Sequence, residues 1–206
     1  MPASRNQPVR HPIADARGLA DVKAAAVRLF AERGFGETSM KDVAEALGVR
    51  APSLYNYVNS KREILDALCL EAMEGMRAAL AEGVALSGDV VEQVRRGMEE
   101  QVRFRVRHPY HLQVVTRETL HLDPDVRTRV LDLRDEQREM WRQVVERGVE
   151  TGRFTAPSSE LASQLLLEMC SWLQIMHFSL KLGVPETRLV YWFGDVAVRM
   201  LTESPS

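Results

Sequence analysis

Apolar residues recur every three or four positions along most of the 206-residue chain, and nowhere do they alternate as strand residues do. Leu19, Val22, Ala26, Leu29 and Phe30 predict a helix that Gly34 stops. In "TSMKDVAEALG", Ser39 is a cap with Asp42 three residues on, and Val43, Ala44 and Leu47 form a small apolar face that ends at Gly48. The next stretch, "VRAPSLYNYVNSKR", sets Leu54 and Val58 four apart, so both can point into a core from one side of a helix. Pro52 fits only near the start of that helix, because it lacks an N–H and its φ is already helical. Pro52, Ser53 and Asn56 fall opposite the apolar edge, flanked by Tyr55 and Tyr57. A second cap, Ser60 with Glu63, opens a long helix through Ile64, Leu65, Leu68 and Met76.

Two very short helices that meet at a glycine, with a longer helix on each side, have the layout of a helix-turn-helix. In that layout the polar residues of the second helix meet base edges and phosphates, while the apolar ones hold it to its neighbours. Lys61 would add its charge to a helix N-terminus, a natural seat for phosphate. Downstream the pattern stays helical: Asp89 to Arg107, Pro109 to about Leu120, Asp123 to Gly152, Pro157 to Leu182 and Pro185 to Thr202. The expected fold is therefore all-α. Residues 1–15 read as a flexible arm carrying Arg5 and Arg10, 16–66 as a DNA-binding domain, and 67–206 as a second, larger helical domain. Leu165, Met169 and Trp172 on one late helix, with Trp192, Phe193, Val196 and Met200 on the other, exceed what one domain can cover. A homodimer through 158–182 and 185–202, built as a four-helix bundle, follows.

Net charge is −2, so no overall positive field argues for nucleic acid. Its distribution is less even: residues 1–66 hold ten Lys or Arg against eight Asp or Glu, and the remainder seventeen against twenty-one. Cys69 and Cys170 lie far apart without zinc-site spacing, as expected of free thiols in a reducing cytoplasm. The first seventeen residues hold three prolines and no apolar core of a signal peptide. The apolar stretch 161–182 is interrupted by Gln164, Glu168, Gln174 and His177, which suits a buried helix better than a membrane span. No GxSxG, HExxH or Gly-rich loop is present, and Pro109 breaks regular geometry between His108 and His111. Neither an enzyme nor a metal or other cofactor is expected. The rival readings are an all-helical enzyme and a DNA-binding protein that senses nothing; the large apolar second domain argues against the latter.

The stretch "AAVRLFAERGFGETSMKDVAEALGVRAPSLYNYVNSKREILDAL", residues 24–68, resembles the DNA-binding domain of the TetR family of bacterial transcriptional regulators. Phe35, the pair Thr38 and Ser39, Val43-Ala44, Gly-Val in the turn, Leu54-Tyr55 and Lys61 stand at the family's spacing. The resemblance implies a dimeric regulator whose helical C-terminal domain binds a small molecule, and most simply a repressor released from a palindromic operator. It assigns phosphate contact to Thr38, Ser39, Tyr55 and Lys61, and base or groove contact to Arg50, Ala51, Ser53 and Tyr57. Arg50 stands where the family often has a capping Ser or Thr, and Asn56-Tyr57 departs from the common aromatic–histidine pair. The second half is similar to members that respond to acyl-CoA thioesters. That likeness implies a hydrophobic pocket lined by Met140, Trp141, Met169, Trp172, Met176 and Phe178, with polarity from Arg117, Glu118, His108, His111 and His177. The same Met and Trp residues at helical spacing also describe an ordinary core.

Overall fold

The computed structural model describes residues 18–180 and 183–203, with the side chains of residues 170 and 172–180 left aside. The arm at 1–15 and the side chains of Trp172, Met176, Phe178 and His177 thus lie outside the described residues. Nine α-helices follow one another among those described, with no strand. They are α1 (Leu19–Arg33), α2 (Met40–Leu47), α3 (Ala51–Leu54), α4 (Lys61–Ala85), α5 (Val90–Arg107), α6 (Pro109–Glu118), α7 (Pro124–Glu150), α8 (Ser159–Leu180) and α9 (Glu186–Thr202). A single 3₁₀ turn, Thr119–His121, joins α6 to α7.

The helix starts follow local chemistry. The Ser39 hydroxyl accepts from the Asp42 N–H at 3.2 Å while the Asp42 carboxylate accepts from the Ser39 N–H at 2.7 Å, a reciprocal cap for α2. Ser60 accepts from the Glu63 N–H at 3.1 Å, Asp89 from Val91 at 2.9 Å, and Asp123 from Asp125 at 3.0 Å. Each satisfies an amide that has no partner inside its helix. Gly48 ends α2 in the left-handed region at φ 65°, which only glycine adopts without a Cβ penalty, and so lets α3 turn back sharply.

One buried cluster joins α1–α4 through Val22, Phe30, Val43, Leu54, Val58 and Leu65, and extends to Val114, Leu122, Val130 and Leu133 of the second half. Helix α4 crosses residue 66 unbroken. A second cluster gathers Leu80, Met98, Trp141, Leu166, Phe193 and Leu201. Phe193 was expected on the dimer face, but it is 7% exposed. It shares a stripe with Val190, Ala197 and Leu201 on the side of α9 that packs on α5. Its neighbour Trp192 is 58% exposed, as are about half of Tyr191, Leu161 and Leu165.

Helices α4 and α5 approach closely at Gly83, where a methyl group would come 2.5 Å from the Arg96 carbonyl oxygen and 2.7 Å from Gly97 Cα. Backbone cannot move aside as a side-chain tip can. Gly83→Ala should therefore destabilise the chain by about 1–3 kcal/mol, as overpacking does. Thermal unfolding followed by circular dichroism should show a drop of about 2–4 °C per kcal/mol for a chain of this size. An unchanged melt would mean that the two helices separate at little cost.

Candidate nucleic-acid interface and interior cleft

Helix α3 is one turn long, with Pro52 in its first turn, and the chain continues as a turn through Tyr55–Tyr57. Leu54 and Val58 are 1% and 4% exposed, so the segment is anchored from its inner side as the spacing predicts. Its outer side is polar and open. Arg50, Ser53, Asn56 and Tyr57 are exposed, and Tyr55 at 54% is clearly not a core residue. Ala51 instead packs partly against the core. Arg50 occupies the N-cap of α3 without a side-chain hydrogen bond there, which leaves its guanidinium outside the helix's own bonding. Ser39 is exposed at the start of α2, and its hydroxyl also donates to Asp42. That hydrogen bond is the main cause that holds the Asp42 carboxyl below its ordinary range.

Two residues expected at phosphates are turned inward. Thr38 is 1% exposed, and its hydroxyl donates to the Gly34 carbonyl at 2.8 Å. Lys61 donates its ammonium to the carbonyls of Phe35 at 2.5 Å and Thr38 at 2.6 Å, and sits 4.2 Å from the centre of the Phe35 ring. The cause is the loop after α1, whose carbonyls have no helical partner and draw in the nearest strong donors.

That loop is also held from the second half. Arg117 donates to the Ala31 carbonyl at 2.8 Å and Gln113 to the same oxygen at 3.2 Å. Glu118, 5% exposed, accepts from the buried Phe35 N–H at 3.2 Å, and its other oxygen lies 3.0 Å from His121 Nδ1. Arg117, expected in a ligand pocket, is therefore a contact between α6 and the end of α1. Glu118, considered there only for pocket polarity, is one of the few buried carboxylates and ties the two halves together.

A cleft of about 400 Å³, open mouth included, lies between α4, α5, α6, α7 and α8. Met73, Met76, Leu112, Val115 and Leu167 supply its apolar wall. Its polar lining is Arg105, Thr116, Arg134, Gln137 and Ser171. Gln137 accepts from Gln101 at 2.9 Å and donates to the Leu133 carbonyl at 3.0 Å, so this buried amide is held in one orientation. None of the described residues expected to line a pocket lines this cleft. Trp141 is fully buried, with its ring against Gly97, while Met140 and Met169 pack on the second cluster. His108 and His111 stand at the corner between α5 and α6, their ring centres 5.6 Å apart. Burial pushes both imidazoles below their ordinary pKa. Among the described residues no helix is long and apolar enough to cross a membrane.

Replacing Lys61 by Met should remove the donor from two loop carbonyls and cost about 1.5–3 kcal/mol, the range for hydrogen bonds to a charged group. Hydrogen exchange should show the loss concentrated in residues 34–65. A variant with unchanged protection but a salt slope of DNA binding reduced by roughly 0.9 per contact would make Lys61 a phosphate ligand instead.

Comparison with known proteins adds to this geometry. Residues 23–68 match the family described as bacterial regulatory proteins, tetR family, and residues 87–175 match a tetracyclin repressor-like C-terminal domain. The HTH-type transcriptional repressor KstR2 of Rhodococcus jostii is 30% identical over 156 residues, covering 73% of this chain and 74% of its own. KstR2 of Mycobacterium tuberculosis is 30% identical over 132 residues, 63% of this chain, and the chain spans only 65% of that relative's length. Among solved structures, the regulator PfmR of Thermus thermophilus superposes with TM-score 0.77 at 30% identity, over 86% of this chain and 97% of its own. AibR, solved with isovaleryl coenzyme A and operator DNA, has the same fold with TM-score 0.75 at 18% identity, over 89% and 97%. With a helix-turn-helix at one end and a helical cleft at the other, the chain belongs to the TetR family of bacterial regulatory proteins.

Proposed function

We propose that this chain is a dimeric transcriptional repressor that a small hydrophobic molecule releases from a palindromic operator, with an acyl-CoA thioester as the effector. One observation carries the reading. Helix α6 belongs to both sites: Leu112, Val115 and Thr116 line the cleft, while Gln113, Arg117 and Glu118 hold the end of α1. A ligand that moves α6 changes the support of the helix-turn-helix. The name of the KstR2 relatives supports repression, and the isovaleryl coenzyme A bound to AibR supports a thioester.

On this reading α3 enters the major groove, with Arg50, Ser53 and Tyr57 at base edges and Ser39 and Tyr55 at phosphates. Thr38 and Lys61 act as braces behind it. The open apolar residues Leu161, Leu165, Tyr191 and Trp192 form the dimer face, which fixes the spacing of the two α3 helices at successive grooves. A coupling of ~1–3 kcal/mol between cleft and groove is enough to change operator occupancy severalfold or more.

The test needs no knowledge of the effector. Fragments of the source genome selected on the protein give the operator, with Arg50→Ala, Tyr55→Ala as the control that should enrich none. Val115→Trp fills the cleft and displaces α6 as a ligand would, so it should lower operator affinity ~5–150-fold, the usual span of allosteric coupling. Adding Glu118→Ala should cancel much of that effect, and the double-mutant cycle on fluorescence-anisotropy affinities reads the coupling directly. Operator affinity unmoved by Val115→Trp, or effects of the two changes that simply add, would defeat the proposed route through α6.

A further inference from the structure

We propose that Asp66 is a latch between α4 and the start of α7, and that filling the cleft opens it and so passes the effector's arrival into α4. The proposal rests on the reading of the cleft as the effector site and adds a second route to the one through α6. The Asp66 carboxylate accepts from the Asp123 N–H at 3.0 Å, across 57 residues of chain. Asp123 is the N-cap of α7. Asp66 lies just over one turn beyond Lys61, whose ammonium holds the loop between α1 and α2. The same two helices flank the cleft farther along, α4 with Met73 and Met76 and α7 with Arg134 and Gln137. The bond therefore pins two walls of the cleft together at the end nearest Lys61. A molecule that parts those walls pulls on the pin.

The pin holds against an electrostatic load. Asp66 and Asp123 are both half-buried. Burial pushes the Asp66 carboxyl above its ordinary pKa, and the Asp123 carboxylate adds to the rise. The N–H of Asp123 and the exposed Arg62 offset only part of it. The negative charge thus costs more here than its hydrogen bond returns, which makes the closed pin cheap to open. Apolar packing keeps the corner in place meanwhile: Leu122, 3% exposed, sits in the first buried cluster with Leu65 and Leu68. Opening is therefore a local shift and needs no unfolding. A neutral acceptor in the same place would keep the bond and remove the load. Asn and Ala at position 66 should accordingly act in opposite directions, which a merely structural aspartate would not show.

The experiment pairs amide exchange of the full chain, read at the Asp123 N–H by NMR, with affinity for the operator selected from the source genome. It is run on the unaltered chain, Asp66→Ala, Asp66→Asn, Val115→Trp and the double variant Asp66→Asn, Val115→Trp, each checked for a native melt. Asp66→Ala should speed exchange at Asp123 by about tenfold or more, the factor that a hydrogen bond to a charged group is worth, and weaken operator binding. Asp66→Asn should slow that exchange. It should also shrink the loss of operator affinity caused by Val115→Trp by at least about twofold, the low end of pairwise coupling. Val115→Trp alone should speed exchange at Asp123. Should Asp66→Ala not fold, Asp66→Asn and the double variant decide the matter. Asn and Ala shifting exchange in the same direction, or leaving it unchanged, would overturn the latch. Val115→Trp that weakens operator binding without touching exchange at Asp123 would overturn the latch and keep the cleft and the route through α6. Val115→Trp without effect on either readout would overturn the latch together with the reading it rests on.

Discussion

The carbonyls at the end of α1 and in the loop behind it have no partners within their own helix, and the fold answers them with side chains from α6, from α4 and from the loop itself. Ala31 receives Arg117 and Gln113 from α6, Gly34 receives Thr38, and Phe35 and Thr38 receive Lys61 from α4. Cationic donors suit this place because the C-terminal end of a helix carries partial negative charge. The buried N–H of Phe35 is answered in turn by the Glu118 carboxylate. Position and orientation of α2 and α3 follow from this loop, since it is the only covalent lead into them from α1. A groove-reading surface can be rigid only if the segment that delivers it is rigid.

How much of this the sequence carried depends on how local each cause is. Ser39 with Asp42, Ser60 with Glu63, Asp89 and Asp123-Pro124 are signals complete within four residues, and the helices they open begin where expected. Leu54 and Val58 told the inner side of the α3 segment for the same reason. Lys61 was a different case. Its loop partners lie 23 and 26 residues away, so the sequence showed a lysine at a helix start and not the carbonyls that its ammonium reaches. The cleft was less legible still, because five helices contribute to it. Arg134, Gln137 and Trp141 lie on one stripe of α7 at i, i+3 and i+7. Two turns along, that stripe passes from the cleft to the floor of Gly97, and Trp141 becomes core. Periodicity can identify the stripe but not what stands opposite each turn of it.

The late helices make the same point about adjacent residues. Tyr191, Trp192 and Phe193 are three aromatics in a row, and a helix rotates by about 100° per residue. Phe193 therefore joins Val190, Ala197 and Leu201 against α5 while Tyr191 and Trp192 remain open. Of the residues expected to make up the apolar surplus of α8 and α9, Leu165 and Trp192 are open, Met169 and Met200 pack partly on the second cluster, and Phe193 is buried. The open residues are large, and Leu161 and Leu165 on α8 share that condition. Scattered exposed side chains mean little, whereas several bulky ones on the last two helices are what a self-associating face needs.

The size of these contacts also bears on how a ligand could act through them. Hydrogen bonds inside a protein contribute roughly 0.5–1.5 kcal/mol each, and somewhat more when one partner is charged. Beside the apolar packing of Val114, the grip of α6 on the first domain includes three such bonds, from Gln113, Arg117 and Glu118. A shift that lengthened one or two of them would therefore change the domain's support by an amount close to the ~1–3 kcal/mol typical of allosteric coupling. A wholly apolar seam between the halves would serve worse, because dispersion contacts fade gradually as surfaces slide. Directional bonds to fixed carbonyls are lost over a few tenths of an ångström. Small displacements in the cleft can then become a discrete change at the groove-reading end, and only because the loop after α1 leaves its carbonyls and one amide for another element to hold.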